Sequence, residues 1–282
     1  MPELPELVVM REILEERVVG RSIASIRVMR PGILKTVDPD TQLLVGRPFR
    51  SVSRRGKHLV LSCDDDLHLV IHLMRSGRLV ICGADTRVTK ATGFVIRFDD
   101  GEDLRVVENG SVKMVKIHAV RDPEDVGWIA GAGVEPLSDR FTVECLVDAF
   151  SGLRRQAKKA ITDQSMIVGI GTAYADEILF AARMSPIRYV SMLTREEIVT
   201  LHTEIIRVLS EAIEEIRTRF AGVMLAESVR DFLKVHKRSG EPCPVCGTLI
   251  GEIRYAQKRT YYCPTCQAAG TVLRDRRSWL TR

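Results

Sequence analysis

The sequence predicts an α+β chain: an N-terminal antiparallel β-sandwich, then a helical domain, then a four-cysteine zinc finger. Three observations carry this. Residues 22–118 hold short β-rich runs with little helix between them, the pattern of an antiparallel sandwich or barrel-like domain rather than of alternating βα units. Beyond Gly131-Ala132-Gly133-Val134-Glu135-Pro136, which reads as a linker, apolar residues recur at helical spacing instead. Finally, Cys243-Pro-Val-Cys246 and Cys263-Pro-Thr-Cys266 are paired Cys-x2-Cys knuckles sixteen residues apart. That spacing matches a tetrahedral four-thiolate Zn2+ site; disulfides are the alternative, and nothing else in the chain indicates an oxidising compartment. The expected domains are residues 1–130, 137–236 and 237–282.

In order, the chain opens Met1-Pro2-Glu3-Leu4-Pro5-Glu6. One reading is a helix start, with proline in the first turn and acids at the positive end of the dipole. The other is a chemical site. With Met1 removed, Pro2 is a free secondary amine between two carboxylates, and a backbone amine is less basic than a lysine. It can attack an electrophilic sugar carbon, with Glu3 passing protons and Glu6 orienting or relaying. Leu7, Met10, Ile13, Leu14 and Val18 then recur at helical spacing, and Gly20 is the stop.

Strands are expected at 23–28, 43–45, 58–63, 67–73, 78–82, 94–98, 104–107 and 112–117, separated by turn signals such as Asp99-Asp100-Gly101 and Asn109-Gly110. Ser53-Arg54-Arg55-Gly56-Lys57-His58 is a basic cluster ahead of a strand: an exposed loop or, through Lys57, a phosphate clamp. Helices are expected at 142–151, 154–162, 174–184, 194–220 and 229–235. Within 163–177, Gly169 and Gly171 allow either a plain turn or a helix N-terminus offered to phosphate. The last segment reads as two small strands whose turn contains Gln257-Lys258-Arg259-Thr260. Cys63, Cys82 and Cys145 sit in apolar sequence and read as core.

The net charge of +5 is unevenly spread: residues 233–282 hold ten Lys/Arg against Glu241, Glu252 and Asp275, a net +7. This is either a solvated basic end or the footprint of a polyanion partner. No apolar run approaches the roughly 18 residues of a membrane span, and the N-terminus lacks the layout of a signal peptide. The expectation is a cytoplasmic, nucleoid-associated monomer with no membrane partner.

Together, Met1 to Glu6, Lys57 in its Arg-Gly-Lys setting, Asp163-Gln164 through Gly171, Tyr174-Ala175-Asp176-Glu177, Gly240-Glu241-Pro242-Cys243 and Tyr262-Cys263-Pro264 with Cys266-Gln267 resemble the formamidopyrimidine-DNA glycosylase and endonuclease VIII family. The resemblance implies a β-sandwich followed by a helix-two-turns-helix domain and a zinc finger, with damaged DNA, duplex or single-stranded, as partner. It makes Pro2 the nucleophile at the sugar C1′, Glu3 the proton shuttle, Glu6 a support and Lys57 a phosphate contact. Lys158, Gly171, Thr172, Lys258 and Arg259 would grip the backbone, and Cys243, Cys246, Cys263 and Cys266 would hold structural zinc. The base must leave the stack to be reached, and β/δ-elimination from the iminium would nick the strand.

Departures from the family pattern bear on the substrate. Thr172 stands where the family commonly has Asn, and Lys258 where it has an arginine, with Arg259 beside it. The family's His-Leu-Gly-Met-Ser-Gly becomes His72-Leu73-Met74-Arg75-Ser76-Gly77, with Arg75 in the wedge register and, on a strand, Met74 on the other face. The Asp-Pro-Arg-Arg-Phe-Gly loop becomes Glu108-Asn109-Gly110-Ser111-Val112-Lys113, and 221–237 is too short for the loop that caps 8-oxoguanine. The expected activity is a glycosylase and abasic-site lyase whose main substrate is not duplex 8-oxoguanine. The alternative is a non-catalytic DNA-damage-binding protein on the same scaffold.

Overall fold

Helix α1 (Leu4–Val18) begins where Glu3 supplies the N-cap and Pro5 falls in the first turn. The Glu6 carboxylate accepts the Glu3 N–H at 2.9 Å, and the Glu3 carboxylate returns the bond to the Glu6 N–H, a capping box. Leu4, Leu7, Met10, Leu14 and Val18 are buried along the helix, and Gly20 ends it at φ +83°. This is a computed structural model; it describes residues 1–220, 222, 224, 230–255 and 258–273. The chain forms two units, Met1–Ala132 with Ala212–Val229, and Gly133–Glu211 with Arg230–Arg282.

The first unit is the expected sandwich. Eight strands, β1 (Ile23–Val28), β2 (Ser51–Arg55), β3 (His58–Ser62), β4 (His68–His72), β5 (Gly77–Gly83), β6 (Thr92–Phe98), β7 (Glu102–Glu108) and β8 (Lys116–Val120), make two antiparallel sheets ordered β1-β6-β7-β5 and β2-β3-β4-β8. Phe49, Leu59, Leu61, Leu69, Ile71, Leu79, Phe94, Ile96 and Leu104 are fully buried, as alternation on inward faces requires.

Three local expectations change. Residues 43–45 are not a strand: Leu43 and Leu44 end a 3-10 turn, Thr41–Leu44, that the Asp40 carboxylate caps through the Gln42 N–H at 2.9 Å, and Val45 is its C-cap. The basic cluster at 53–58 is not a loop: Ser53, Arg54 and Arg55 lie on β2, and Gly56-Lys57 is a two-residue hairpin joining it to β3, with Gly56 at φ +54°. The strand expected from 112 starts only at Lys116, because the N–H groups of Met114 and Val115 are taken by the Glu108 carboxylate. A short helix, α2 (Gly127–Ala130), follows.

The second unit contains α3 (Val143–Phe150), α4 (Ala157–Ile161), α5 (Thr172–Ala181), the part of α6 (Arg195–Phe220) up to Glu211, β9 (Gly251–Tyr255), β10 (Lys258–Tyr262) and α7 (Pro264–Ala268). The expected linker is paired structure: Val134 bridges Ile167, and a side chain at Gly133 would meet the Met166 carbonyl at 2.3 Å. Helix α4 starts three residues late because Gln156 bridges Tyr189 and the Ala157 N–H bonds Arg188. No helix occupies 230–235, for Glu177 claims the N–H groups of Lys234 and Val235; Val229 lies outside the described residues. Lys258, Arg259 and Thr260 open strand β10 instead of forming a turn; Gln257 lies outside the described residues, as do Ala221 and residues 225–229 of the expected loop region. So do Arg274, Arg276, Arg277 and Arg282 of the basic end. Among the described residues, no helix is long and apolar enough to cross a membrane.

Candidate active site

Pro2 is buried at the start of α1, while Glu3 and Glu6 are 2% and 0% exposed; Met1 is exposed. The capping box fixes both carboxylates against the backbone of the first turn. At the other end of the helix the Glu15 carboxylate accepts the Val52 N–H at 2.8 Å and Val19 bridges Phe49. That half of α1 therefore lies at the start of β2. The helix packs against β2, the strand that leads into the Gly56-Lys57 hairpin.

Lys57 is only 8% exposed, an unusual setting for a hairpin lysine. Beside it, the His58 and His72 rings meet edge to face with centroids 4.6 Å apart. Burial pushes the His58 imidazole down to about 4, reinforced by His118 and Lys116. Burial, then the charges of His58, Lys57 and Lys116, pushes His72 down to about 3. Both rings are thus neutral at pH 7. His72 Nδ1 accepts the Met74 N–H at 3.0 Å, which leaves its proton on Nε2.

That bond shapes the next turn. Met74 takes φ +52°, and the Gly77 N–H closes onto the Leu73 carbonyl at 2.9 Å. Met74 and Arg75 therefore lie in a turn rather than on a strand, so the alternation of faces expected for them does not apply. Met74 is half-buried and Arg75 exposed. A side chain at Gly77 would fall 2.4 Å from the Leu73 oxygen and from Val115, which is why only glycine fits.

In the second unit, the segment between α4 and α5 is two turns held by Asp163 and Gln164. Gln164 Nε2 donates to the carbonyls of Thr162 and Ile170, and its Oε1 accepts the Gly169 N–H at 2.9 Å. Asp163 accepts from the Ser165 hydroxyl and N–H and pairs with Arg155; those Ser165 bonds, opposed by burial, hold its carboxyl below the usual range. Gly169 needs its left-handed φ of +84°, whereas Gly171, the N-cap of α5, is extended. Thr172 is exposed at the first helical position.

Lys158 is 8% exposed and its ammonium donates three bonds: to Asp176 at 2.6 Å, the Arg259 carbonyl at 3.0 Å and the Thr260 hydroxyl at 3.0 Å. The sequence reading gave this residue to a DNA phosphate; the structure spends all three of its protons inside the unit. Asp176 turns its other oxygen to His236 Nδ1 at 2.8 Å. Glu177 accepts three consecutive N–H groups, from Lys234, Val235 and His236, while burial pushes its carboxyl up. Arg259 is exposed and lies 3.4 Å from Glu252; the Lys258 side chain lies outside the described residues.

Cys243, Cys246, Cys263 and Cys266 converge with their sulfurs all within 4.8 Å of one another, with pairs at 3.9 and 3.4 Å. Four thiolates at ~2.3 Å from a tetrahedral zinc lie roughly 3.8 Å apart, so the set fits a structural Zn2+. Phe180, Val235, Ile250 and Tyr261 pack around it. Cys63 is buried, and burial pushes its thiol up to about 11, as expected of a core cysteine; Cys82 and Cys145 are only half-buried.

The sequence assigned no separate role to His58, His236 or Glu108. Only Glu108 left a trace, as an acid at the end of a β-rich run immediately before Asn-Gly.

Three family models match the chain: the formamidopyrimidine-DNA glycosylase N-terminal domain over residues 1–111, the H2TH domain of the same glycosylase over 132–221, and the zinc finger found in FPG and IleRS over 240–269. The chain is 38% identical to a formamidopyrimidine-DNA glycosylase of Symbiobacterium thermophilum, covering 99% of this chain and 93% of that one. It is 37% identical to its counterpart from Desulforamulus reducens, over 95% and 100%. Among solved structures it is similar to Lactococcus lactis Fpg in complex with abasic-site DNA, at TM-score 0.83 and 26% identity over 94% of this chain and 99% of that one. The same enzyme with DNA containing an oxidised pyrimidine matches at TM-score 0.85 and 27% identity, over 95% and 100%.

Proposed function

Since the chain belongs to the formamidopyrimidine-DNA glycosylase family of DNA-repair enzymes, we propose that it excises damaged bases and cuts DNA at the resulting abasic site. The observation that supports this most directly is the start of α1, where Pro2 is buried beside two carboxylates locked by their own capping box. In this reading residues 1–130 carry catalysis, 137–236 grip the DNA backbone through Gly171 and Thr172, and 237–282 form the zinc finger and basic tail. Arg259 and Lys258 contribute further phosphate contacts.

With Met1 removed, the Pro2 nitrogen attacks C1′ of the extruded nucleotide, the base departs with the C1′–N bond electrons and takes a proton from water, and the attacking nitrogen gives up its N–H proton to the Glu3 carboxylate. Glu3 delivers a proton to the ring oxygen as the sugar opens, leaving a Pro2–C1′ iminium. Loss of the acidified C2′ proton then expels the 3′ phosphate, and a second elimination expels the 5′ phosphate. Glu6, bonded to the Glu3 N–H, orients its neighbour. Lys57 holds a backbone phosphate. Zinc, when bound, holds four thiolates and takes no part in these steps.

The turn at Met74–Arg75 and the loop after Glu108 differ from the family pattern, which supports a main substrate other than duplex 8-oxoguanine and also favours the second reading, damage binding without excision. Incubation with abasic-site DNA and borohydride separates the two. A covalent adduct supports the lyase; binding without an adduct supports the alternative. Excision of 8-oxoguanine opposite cytosine faster than of oxidised pyrimidines, hydantoins and single-stranded lesions would sink the substrate assignment.

A further inference from the structure

The outward face of the sheet β2-β3-β4-β8 carries groups that the excision chemistry does not use. Its register sets Arg55 opposite His58 and His72 opposite Lys116, and the rings of His58 and His72 touch. One row therefore crosses all four strands from the edge of the Gly56-Lys57 hairpin, and at ~4.8 Å per strand it ends roughly 14 Å away at Lys116. Among the described residues of these strands, none on that face is acidic.

Helix α2 folds back over the same face. Val126 and Ile129 pack on Val60, Val70 and Val120, which leaves Trp128 on the solvent side, 69% exposed. The Lys116 ammonium stands over its ring, 5.6 Å from the centroid, and no carboxylate pairs with that ammonium among the described residues. Burial, then the charges of Lys116 and Lys35, pushes the His118 imidazole down, so two lysines share this edge of the sheet. The acids of the next turn, Glu124 and Asp125, follow Val120, at the opposite end of β8 from Lys116.

Tryptophan is rarely left this open. An exposed indole beside an unpaired cation has the two parts of a single-strand site, because a base stacks on the ring while the cation takes the adjoining phosphate. Bases inside a duplex are already stacked on one another and cannot use the ring. The absence of acids on the face, and the row that joins it to the Lys57 hairpin, favour a polyanion over a protein as occupant. We propose that Trp128 and Lys116 form a subsite for unpaired DNA flanking the lesion, with one base stacked on Trp128 and the next phosphate on Lys116. This rests on the reading that the chain binds damaged DNA, and not on its lyase chemistry.

The test uses the zinc-loaded protein and two labelled probes with the same uncleavable abasic-site analogue: a full duplex, and a bubble in which the nucleotides flanking the lesion are unpaired. Trp128→Ala should weaken the bubble complex about tenfold and change the duplex complex by no more than about twofold, and Trp128→Phe should recover most of the loss. Lys116→Gln should lower the salt slope on the bubble by about 0.7. Equal losses on both probes, no loss on the bubble, or no recovery by phenylalanine would overturn the subsite. A second measurement needs neither a lesion nor a disrupted Trp128. The chain has two tryptophans, so in Trp279→Phe protein the emission comes from Trp128; an undamaged oligothymidylate strand should quench it and an undamaged duplex should not. Unchanged emission would overturn the subsite as well. Weak binding of both abasic probes by the unchanged chain would count against the damaged-DNA reading, whereas the quench reports on the subsite alone.

Discussion

In the second unit the charged residues of the sequence motifs face one another. Lys158 spends its protons on Asp176, Thr260 and a strand carbonyl, Asp176 also holds His236, and Glu177 receives three backbone N–H groups. In the first unit, Glu3 and Glu6 cap a helix end and Glu108 clamps loops, while Arg75 and Val112, in the two stretches that depart from the family pattern, stay outward. A motif residue is thus no guarantee of a ligand contact. Some of these charges are needed to build the surface that the ligand meets, and the same letters in a sequence serve either purpose.

The largest expected effect divides the two units. Zinc binding to a four-thiolate site carries apparent free energies on the order of 10 kcal/mol and is coupled to local folding. Chelation, or Cys263→Ala, should expose residues 240–269 to limited proteolysis and release Lys158 from β10, while a fragment spanning the sandwich persists. Equal loss of both units under chelator would break the contrast.

Next comes the buried pair. Lys158→Met leaves the Asp176 carboxylate buried without its main partner, which should cost about 3–5 kcal/mol in urea unfolding of the zinc-loaded chain. The double change Lys158→Met with Asp176→Leu should recover much of that. Arg75→Ala, on an exposed turn, should move stability by no more than about 0.5 kcal/mol. If Lys158→Met behaved like Arg75→Ala, the internal role assigned to Lys158 would be wrong.

The third effect, spread over several pH units, is a pH dependence confined to the sandwich. His58 and His72 have folded values of about 4 and about 3, below the ~6.5 of an unfolded histidine. Above pH 6.5 both states are neutral and the stability is fully present. As pH falls from there the unfolded chain takes up protons that the folded one refuses, so stability drops, by up to ~3 kcal/mol per histidine near pH 4. Lys57, Lys116 and His118 face the pair and hold the rings neutral. His58→Phe keeps an aromatic ring and His72→Asn keeps an acceptor for Met74; together they should flatten thermal stability between pH 6.5 and 4. An unchanged slope would place the titrating groups elsewhere.

Much of this was legible in the sequence because periodicity reports burial directly. The sandwich, the α1 stripe and the long α6 pattern follow from which faces are apolar, and the four cysteines from ligand spacing. Side-chain to backbone bonds over longer range left no such trace. Asp40 caps a 3-10 turn where a strand was expected, Glu108 delayed β8 until Lys116, and Glu177 kept 230–235 from becoming a helix. Each is a carboxylate outbidding local propensity for backbone N–H groups, and in the last two cases the carboxylate is distant or buried. Pro2, Glu3 and Glu6 were legible because they fall within one hexapeptide; the Lys158–Asp176–His236 network was not, because it joins three segments through the fold.

The central claim concerns the nitrogen of Pro2. After borohydride reduction on abasic-site DNA, proteolysis and mass measurement should place the adduct on the N-terminal peptide beginning at Pro2, with none formed by Pro2→Gly or by protein that keeps Met1. An adduct mapped to Lys57, Lys158 or any other amine, or one that survives in Met1-blocked protein, would contradict it.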